Sequence, residues 1–310
     1  MPDQRALGFM LSQTALIQKE IYYLQYPDVD FRRLVPVSTE GTGWESEIQH
    51  FSADILGEMK EINAQTTVFP LVNIEHSEHQ VRIADYGVAM KYGLKEIKQA
   101  LMVPGRNLKR EQMRGMRRAH DQTHWELILK GRTDLGWDGL INNSNVTSTT
   151  ASADGAGNST KWDDKTAEQI ILDINKAIEG VYTESNTVLL SDTVALPPGV
   201  LAALSSKFIS GTSVSVARWI MENSVYTTMT GRKLNMIEIR GLENAAASNE
   251  GRMVVYKRDP MVLTYHLVMP LMIFEPQQHL LSWTIPAMSR SGGLEIKLPK
   301  AIRYVDGIST

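Results

Sequence analysis

Two histidine pairs, one aspartate pair and one row of arginines are the residues of this chain whose types and spacing could do chemistry. Glu75-His-Ser-Glu-His79 places two imidazoles beside two carboxylates, a donor set that could hold a divalent metal. The helical metalloprotease pattern, however, needs its histidines four apart with a glutamate next to the first. Here His76 and His79 are three apart, in a stretch that reads as strand or loop, so a solvated polar loop is the plainer reading. His120 and His124 do have four-residue spacing on a predicted helix and could share an ion. Asp121 lies off their common line, which leaves helix packing or surface exposure as the simpler role. Asp163-Asp164 beside Trp162 could serve acid–base work, but just before Thr166 they read as charges favoured by a helix N-terminus. Gly41-Thr-Gly43 lacks the third glycine of a nucleotide-binding turn and reads as a flexible elbow. No phosphate loop, dinucleotide fingerprint or nucleophile elbow is present. Nothing assembles an acid, a base and a nucleophile, so no catalytic residue, metal ligand or cofactor is assigned.

The arginine row is harder to set aside. Arg110, Arg114 and Arg117 fall on one face of a predicted long helix by their four-and-three spacing, with Lys109 and Arg118 beside them. Such a stripe can be a solvated face, a set of ion pairs to an adjoining subunit, or a weak sequence-independent contact with nucleic acid. The whole chain is no polyanion trap: 32 basic residues stand against 35 acidic ones over 310 residues, for a net charge of -3, so any basic function is local. The absence of cysteine excludes disulfides, thiolate metal sites and cysteine nucleophiles. The 15 methionines read as adaptable core filling. Met1 to Glu20 has no secretory pattern, and the most apolar window, Met261 to Phe274, is too short to cross a bilayer, so neither export nor membrane insertion is expected.

The elements that must position these residues follow from periodicity. Leu7 to Tyr26 is spaced as an amphipathic helix ended by Pro27, and Glu45 to His50 alternates as a half-exposed strand. Thr66 to Ile74 and Gln80 to Tyr92 are further extended stretches, which with the first make a long hairpin or small sheet. A two-stranded ribbon is marginal in water and needs another surface to lie on. Asn107 is the expected N-cap of a helix running to Lys130, with Met113, Met116, His120, Thr123 and Leu127 as its buried stripe and Gly131 as its stop. Asn142 to Asn158 is almost wholly small and polar, and is expected to be a mobile loop. Helices are expected over Thr166 to Tyr182, from Pro197 to Phe208 and from Ser215 to Val225. Strands are expected at Thr187 to Leu190, Asn235 to Ile239, Arg252 to Lys257, Met261 to Val268, His279 to Ile285 and Leu294 to Leu298. The class is α+β, and the opening arm and hairpin suit a subunit that reaches over its neighbours better than a compact enzyme.

Several segments carry a resemblance: Leu34-Val-Pro-Val37, Tyr92 through Glu96 to Ala100, Gly139-Leu-Ile-Asn142, Ala167 to Ile174 and Arg290 to Pro299. Together they make the chain resemble the major capsid proteins of tailed bacteriophages, with the Hong Kong 97-like fold. The resemblance implies an N-terminal arm over 1–43 and an extended β-loop over 44–93. It further implies a peripheral domain over 94–165 and 269–310 with a spine helix at 107–130, and an axial domain over 166–268. It implies a structural protein that is not an enzyme and that assembles with itself, as pentamers and hexamers, into an icosahedral virion capsid around double-stranded DNA. Portal and scaffolding or decoration proteins would be further partners, weak non-specific contact with the packaged DNA is implied, and assembly would take place in the host bacterial cytoplasm. No crosslinking Lys/Asn pair can be carried over to any position. Two alternatives stand beside it: a bacterial nanocompartment shell of the same fold, and an α+β hydrolase using His76/His79 or Asp163/Asp164.

Overall fold

In a computed structural model, which describes residues 30–56, 73–102 and 108–309, the chain builds two cores on either side of one mixed sheet. The helix expected over Leu7 to Tyr26 and the cap expected at Asn107 lie outside the described residues. The sheet has five strands: β7 (Thr147–Thr150), β16 (Ile302–Asp306), β10 (Arg252–Tyr256), β8 (Thr193–Leu196) and β9 (Asn235–Glu238), hydrogen-bonded in that order. Both β8 and β10 are buried along their whole length, which explains their unbroken apolar runs. Alternate side chains go to opposite faces. Val194, Leu196, Met253 and Val255 enter one core, and Ala195, Val254 and Tyr256 the other.

The first core is closed by α3 (Ala167–Glu184), whose Ile170, Ile174, Ala177, Ile178 and Val181 are buried as their spacing predicts. Its start is fixed by a capping box, in which Thr166 and Gln169 each accept from the other's backbone N–H. The short helices α4 (Val200–Ser206), α5 (Val216–Asn223) and α6 (Val225–Thr230) complete that layer.

The second core lies under α2 (Leu108–Lys130), whose 23 residues rise about 35 Å. Leu127 is buried in this core and Met116 in a smaller third cluster with Met90, Tyr92, Ile285 and Ala287, and Gly131, at φ +66, ends the helix. A Cβ on Gly131 would run into the backbone of Trp137 and Asp138, where β5 (Gly131–Arg132) pairs with β6 (Trp137–Asp138). Beneath the helix, β1 (Val37–Ser38), β11 (Leu263–His266) and β15 (Gly293–Ile296) form a three-stranded sheet. A third sheet is organised by β14 (Ser282–Ser291). One edge of β14 pairs over ten residues with β4 (Ala84–Gly93), and the other pairs with β12 (Met269–Ile273) and β13 (Gln277–His279). The short α1 (Leu94–Met102) follows β4 directly. Finally, β2 (Glu47–Leu56) and β3 (Asn73–Arg82) form a ten-pair antiparallel ribbon of their own.

Four expectations are corrected. Asn142 to Asn158 is not a mobile loop: β7 inside it adds a parallel strand to β16, Val146 and Ala151 are buried, and the Asn142 amide bridges Gly139 N and Lys130 O. Its small polar residues lack a core of their own, but an existing sheet edge supplies their backbone partners. Gln80 to Tyr92 is not one hairpin strand, because it breaks at Ile83 and its second half leaves to pair with β14. The strand expected at Thr187 to Leu190 falls instead at β8, since Asn186 and Thr187, at φ 54 and 65, turn the chain out of α3. Finally, α1, β7, α6, β12 and β16 lie outside the expected elements, and β16 inserts between β7 and β10 in the five-stranded sheet.

The segment after β7 is tied down by a buried ion pair. Lys165 Nζ, with no exposed side-chain surface, sits 2.5 Å from Asp173 Oδ2 and 2.9 Å from Asp154 Oδ1 and donates to Ser152 O at 2.6 Å. Asp173 also accepts from Trp162 Nε1 at 3.2 Å. Removing one member of such a pair strands the other charge. Lys165→Met is therefore expected to lower stability by about 3 to 5 kcal/mol, read as a fall in the urea midpoint. Lys165→Met combined with Asp173→Leu should recover part of that loss. A single variant that unfolds at the wild-type midpoint would show that the pair holds nothing in place.

Candidate inter-subunit interface

Among the described side chains, the β2–β3 ribbon meets the rest of the molecule at its base. At about 3.3 Å per residue its ten pairs extend about 33 Å. Along the first half of β2, Ile48 and His50 turn inward while Glu47, Gln49 and Phe51 face out, Phe51 being 69 % exposed. Ile48 packs so closely over Gly292 that a Cβ there would lie 2.9 Å from its Cδ1, with Val81 on the other strand at 3.6 Å. Beside it His50 Nε2 meets Glu295 Oε1 at 2.8 Å, and His266 Nε2 meets Glu295 Oε2 at 2.8 Å.

The elbow ahead of β2 is closed rather than flexible, a fifth correction. The Glu45 carboxylate accepts from Thr42 N at 2.6 Å, Thr42 Oγ1 at 2.8 Å and Gly43 N at 2.9 Å. Those donors, the Thr42 amide first, hold its carboxyl down to about 2. Gly41 and Gly43, at φ +121 and +93, supply the backbone conformation that the turn requires. Behind it, Arg290 on β14 donates to Asp85 Oδ1 at 2.5 Å and to Gly43 O at 2.7 Å, and lies over the exposed Trp44 ring at 5.9 Å. One guanidinium thus fastens the elbow, β4 and β14 together.

The arginine row is placed on α2. Arg114 and Arg117 are exposed on its solvent side; Arg110 lies on the same helix, its side chain outside what is described. Apolar groups are exposed at two further ends of the molecule: Leu280 and Leu281, 81 % and 72 % exposed at the turn between β13 and β14, and Met272, Ile273 and Phe274 at the end of β12. A shallow concavity of about 700 Å³ lies alongside, lined by Tyr86, Phe274, Pro276, Pro286 and Met288. Single exposed apolar residues are ordinary; the turn between β13 and β14 carries two in succession, with Leu280 at φ 52.

The histidines divide. His79 is on β3, opposite His50, with the two rings stacked at 5.1 Å, and no metal-holding group of three or more ligands occurs among the described residues. His120 and His124 are 4.2 Å apart, ring to ring. His124 is fully buried, its Nε2 3.2 Å from Ser289 Oγ and its Nδ1 2.5 Å from the Tyr265 hydroxyl. With the ring proton on Nε2, that nitrogen donates to Ser289 and Nδ1 accepts from Tyr265. A serine beside a histidine resembles half of a hydrolase triad, but burial first, and then His120, push the His124 ring down to about 3. A base that weak cannot take a proton from serine near neutrality, and both groups are sealed in the core. Asp163 and Asp164 are exposed in a short 3-10 turn. The structure does not bring the acidic, basic and nucleophilic candidates together. Sequence reading missed His50, Glu295, His266 and Arg290; only the alternation that turns His50 inward signalled any of them.

Comparison with known proteins gives one consistent result. The family model described as Major capsid protein matches residues 57–308. No curated protein matches the sequence. Among solved structures, the capsid of Myoviridae phage XM1 is similar with a TM-score of 0.79 at 16 % identity, over 96 % of this chain and 98 % of that one. Mycobacterium phage Bobi is similar with a TM-score of 0.63 at 10 % identity, over 99 % of each chain. A virus-like particle from Pyrococcus furiosus reaches 0.51 at 12 % identity, over 89 % of this chain and 92 % of that one. The fold is thus the Hong Kong 97-like one.

The clamp around Arg290 generates a direct test. Arg290→Met leaves Gly43 O and the Asp85 carboxylate without their shared donor, and is expected to cost about 2 to 3 kcal/mol. Amide exchange should quicken at Gly43 to Glu47 and Asp85 to Gly87 while α3 is unchanged; equal exchange in all three would remove the clamp from the account. His124 sets the acid limit of the core. Because its pKa in the fold is depressed below the ordinary value of about 6.5, the unfolded chain binds the extra proton, so stability is full above that value and falls as pH drops toward about 3. His124→Gln should flatten that fall, as read by thermal unfolding against pH.

Proposed function

The chain belongs to the major capsid protein family, and from that premise we propose that it assembles with copies of itself, as pentamers and hexamers, into an icosahedral shell around a double-stranded DNA phage genome. The observation that carries this reading is the β2–β3 ribbon: ten residue pairs with a docked base and, among the described residues, no sheet neighbour besides each other. A neighbouring copy is the surface that completes it. The exposed Phe51, the Leu280-Leu281 turn and the arginine row are the further contacts such a neighbour would cover. In this reading residues 1–43 are the arm, 44–93 the extended loop, 94–165 and 269–310 the peripheral domain and 166–268 the axial domain, to which β7 and β16 contribute sheet strands. Portal and scaffolding or decoration proteins would be further partners of this lattice, and the host cytoplasm would be its place of assembly.

The arginines of α2 are read as inter-subunit. Arg117 makes no ion pair among the described residues, and a net charge of -3 shows no general commitment to neutralising DNA. A nanocompartment shell of the same fold is the second reading, supported by the weaker likeness to the Pyrococcus furiosus particle. Nuclease-protected DNA in particles recovered from infected cells would favour the virion.

Deleting Ser46 to Gln80 is expected to abolish assembly, scored by native mass and negative-stain microscopy, while leaving circular dichroism and cooperative unfolding of the rest intact; intact particles from that deletion would sink the reading. Changing Arg110, Arg114 and Arg117 together to glutamine should lower the yield and thermal stability of DNA-free shells. Wild-type values there, with reduced genome retention, would assign the stripe to DNA.

A further inference from the structure

Beside the apolar contact of Ile48 and Val81 over Gly292, the junction between ribbon and body holds a cluster of titratable groups. His50, on the inward side of β2, reaches Glu295 of β15 at 2.8 Å, and His266 of β11 holds the other oxygen of the same carboxylate at 2.8 Å. The carboxylate is 9 % exposed, the His50 side chain 28 % and the His266 side chain 12 %. His79 of β3 stacks on His50 with an interplanar angle of 16°. Lys297, just beyond β15, is the remaining charge that faces the site and is tied to Pro260 O at 3.1 Å. His50 Nδ1 is buried and has no hydrogen-bond partner.

We infer that this junction is an acid-released latch: neutral His50 holds the base of the ribbon on Glu295, and proton uptake by His50 frees it. In the neutral ring, Nε2–H donates to the carboxylate and Nδ1 carries only a lone pair, whose lack of a partner is a modest cost. The added proton would sit on Nδ1, a buried N–H with no acceptor, which is far more costly. The resulting cation would also lie over the His79 ring and close to His266 and Lys297. Burial first, and then these three neighbours, lower the pKa of His50 against the opposing pull of Glu295. The sign follows: a histidine whose pKa is depressed in the docked state binds its proton more tightly undocked, so docking is complete above about pH 6.5 and weakens as pH falls below it. A simple His–Glu ion pair would behave the opposite way and tighten on acidification.

The latch closes within one chain, so its test uses the unassembled full-length protein and stands apart from the shell reading; only its consequence, a ribbon base free to move between copies, rests on that reading. Hydrogen–deuterium exchange, corrected for the intrinsic pH dependence of the rate, is followed in peptides covering Glu47 to Phe51 and, as internal reference, in β10. Between about pH 7.5 and pH 5.5 protection of the β2 peptide is expected to fall measurably, with a linkage ceiling of about tenfold, while β10 is unchanged. His50→Gln, which keeps a donor toward Glu295 but cannot take a proton, should abolish the response, and His79→Gln should reduce it. Protection that is constant or rises on acidification overturns the latch. So does a fall shared equally by β10, which belongs to the buried His124, or an undiminished response in His50→Gln.

Discussion

The ten-residue pairing of β4 with β14 is the interaction on which the rest of this structure depends. It joins residues about two hundred positions apart in the chain, and each residue near its Ala84 end carries a second connection. Ser289 bonds His124 of the long helix, Arg290 clamps Asp85 and the elbow before the ribbon, and Ser291 bonds the Tyr265 hydroxyl of β11. Long-range strand pairing of this kind closes a large loop before it is rewarded, so it is stable only when side-chain contacts on the same strand add to the ladder. The run of three consecutive polar residues at Ser289, Arg290 and Ser291, all buried, is that addition. Around it, helix α2, the elbow and the ribbon base take fixed places.

What the β4–β14 pair does not do is stabilise the ribbon beyond its base. The ribbon satisfies its own backbone through the β2–β3 ladder, yet the strands have one another as their only sheet neighbours among the described residues. Among the described side chains, apolar packing of the ribbon on the body occurs near Ile48 and Val81. The body is complete without the ribbon and the ribbon is incomplete without a further surface. That asymmetry is the physical basis of the assembly proposal, and the junction that holds the ribbon to its own subunit combines a small apolar contact with polar and titratable groups.

Much of the frame was legible in the sequence wherever one periodicity ran long enough. The apolar spacing of Ala167 to Val181, the Met116 to Leu127 stripe ended by Gly131 and the buried run Arg252 to Tyr256 all became the expected elements. The failures have physical causes. Thr147 to Thr150 carries no apolar pattern because its partner strand β16 supplies the burial, so composition misread a sheet edge as a loop. Ile83 breaks an alternation that looks continuous, and only the distant β14 decides that the second half leaves the ribbon. The candidate site was the least legible part: His50, His266 and Glu295 are isolated in sequence and meet only through tertiary pairing, whereas Glu75 to His79, the most suggestive string, lies along one strand and joins the site through His79, stacked on His50.

Electron cryo-microscopy of assembled particles tests whether a neighbouring copy of the chain completes the β2–β3 ribbon. The Glu47–Leu56 and Asn73–Arg82 strands are expected to lie against the adjacent subunit, with Phe51 covered by it. Particles in which the ribbon stands free in solvent, or folds back onto its own subunit, would contradict it.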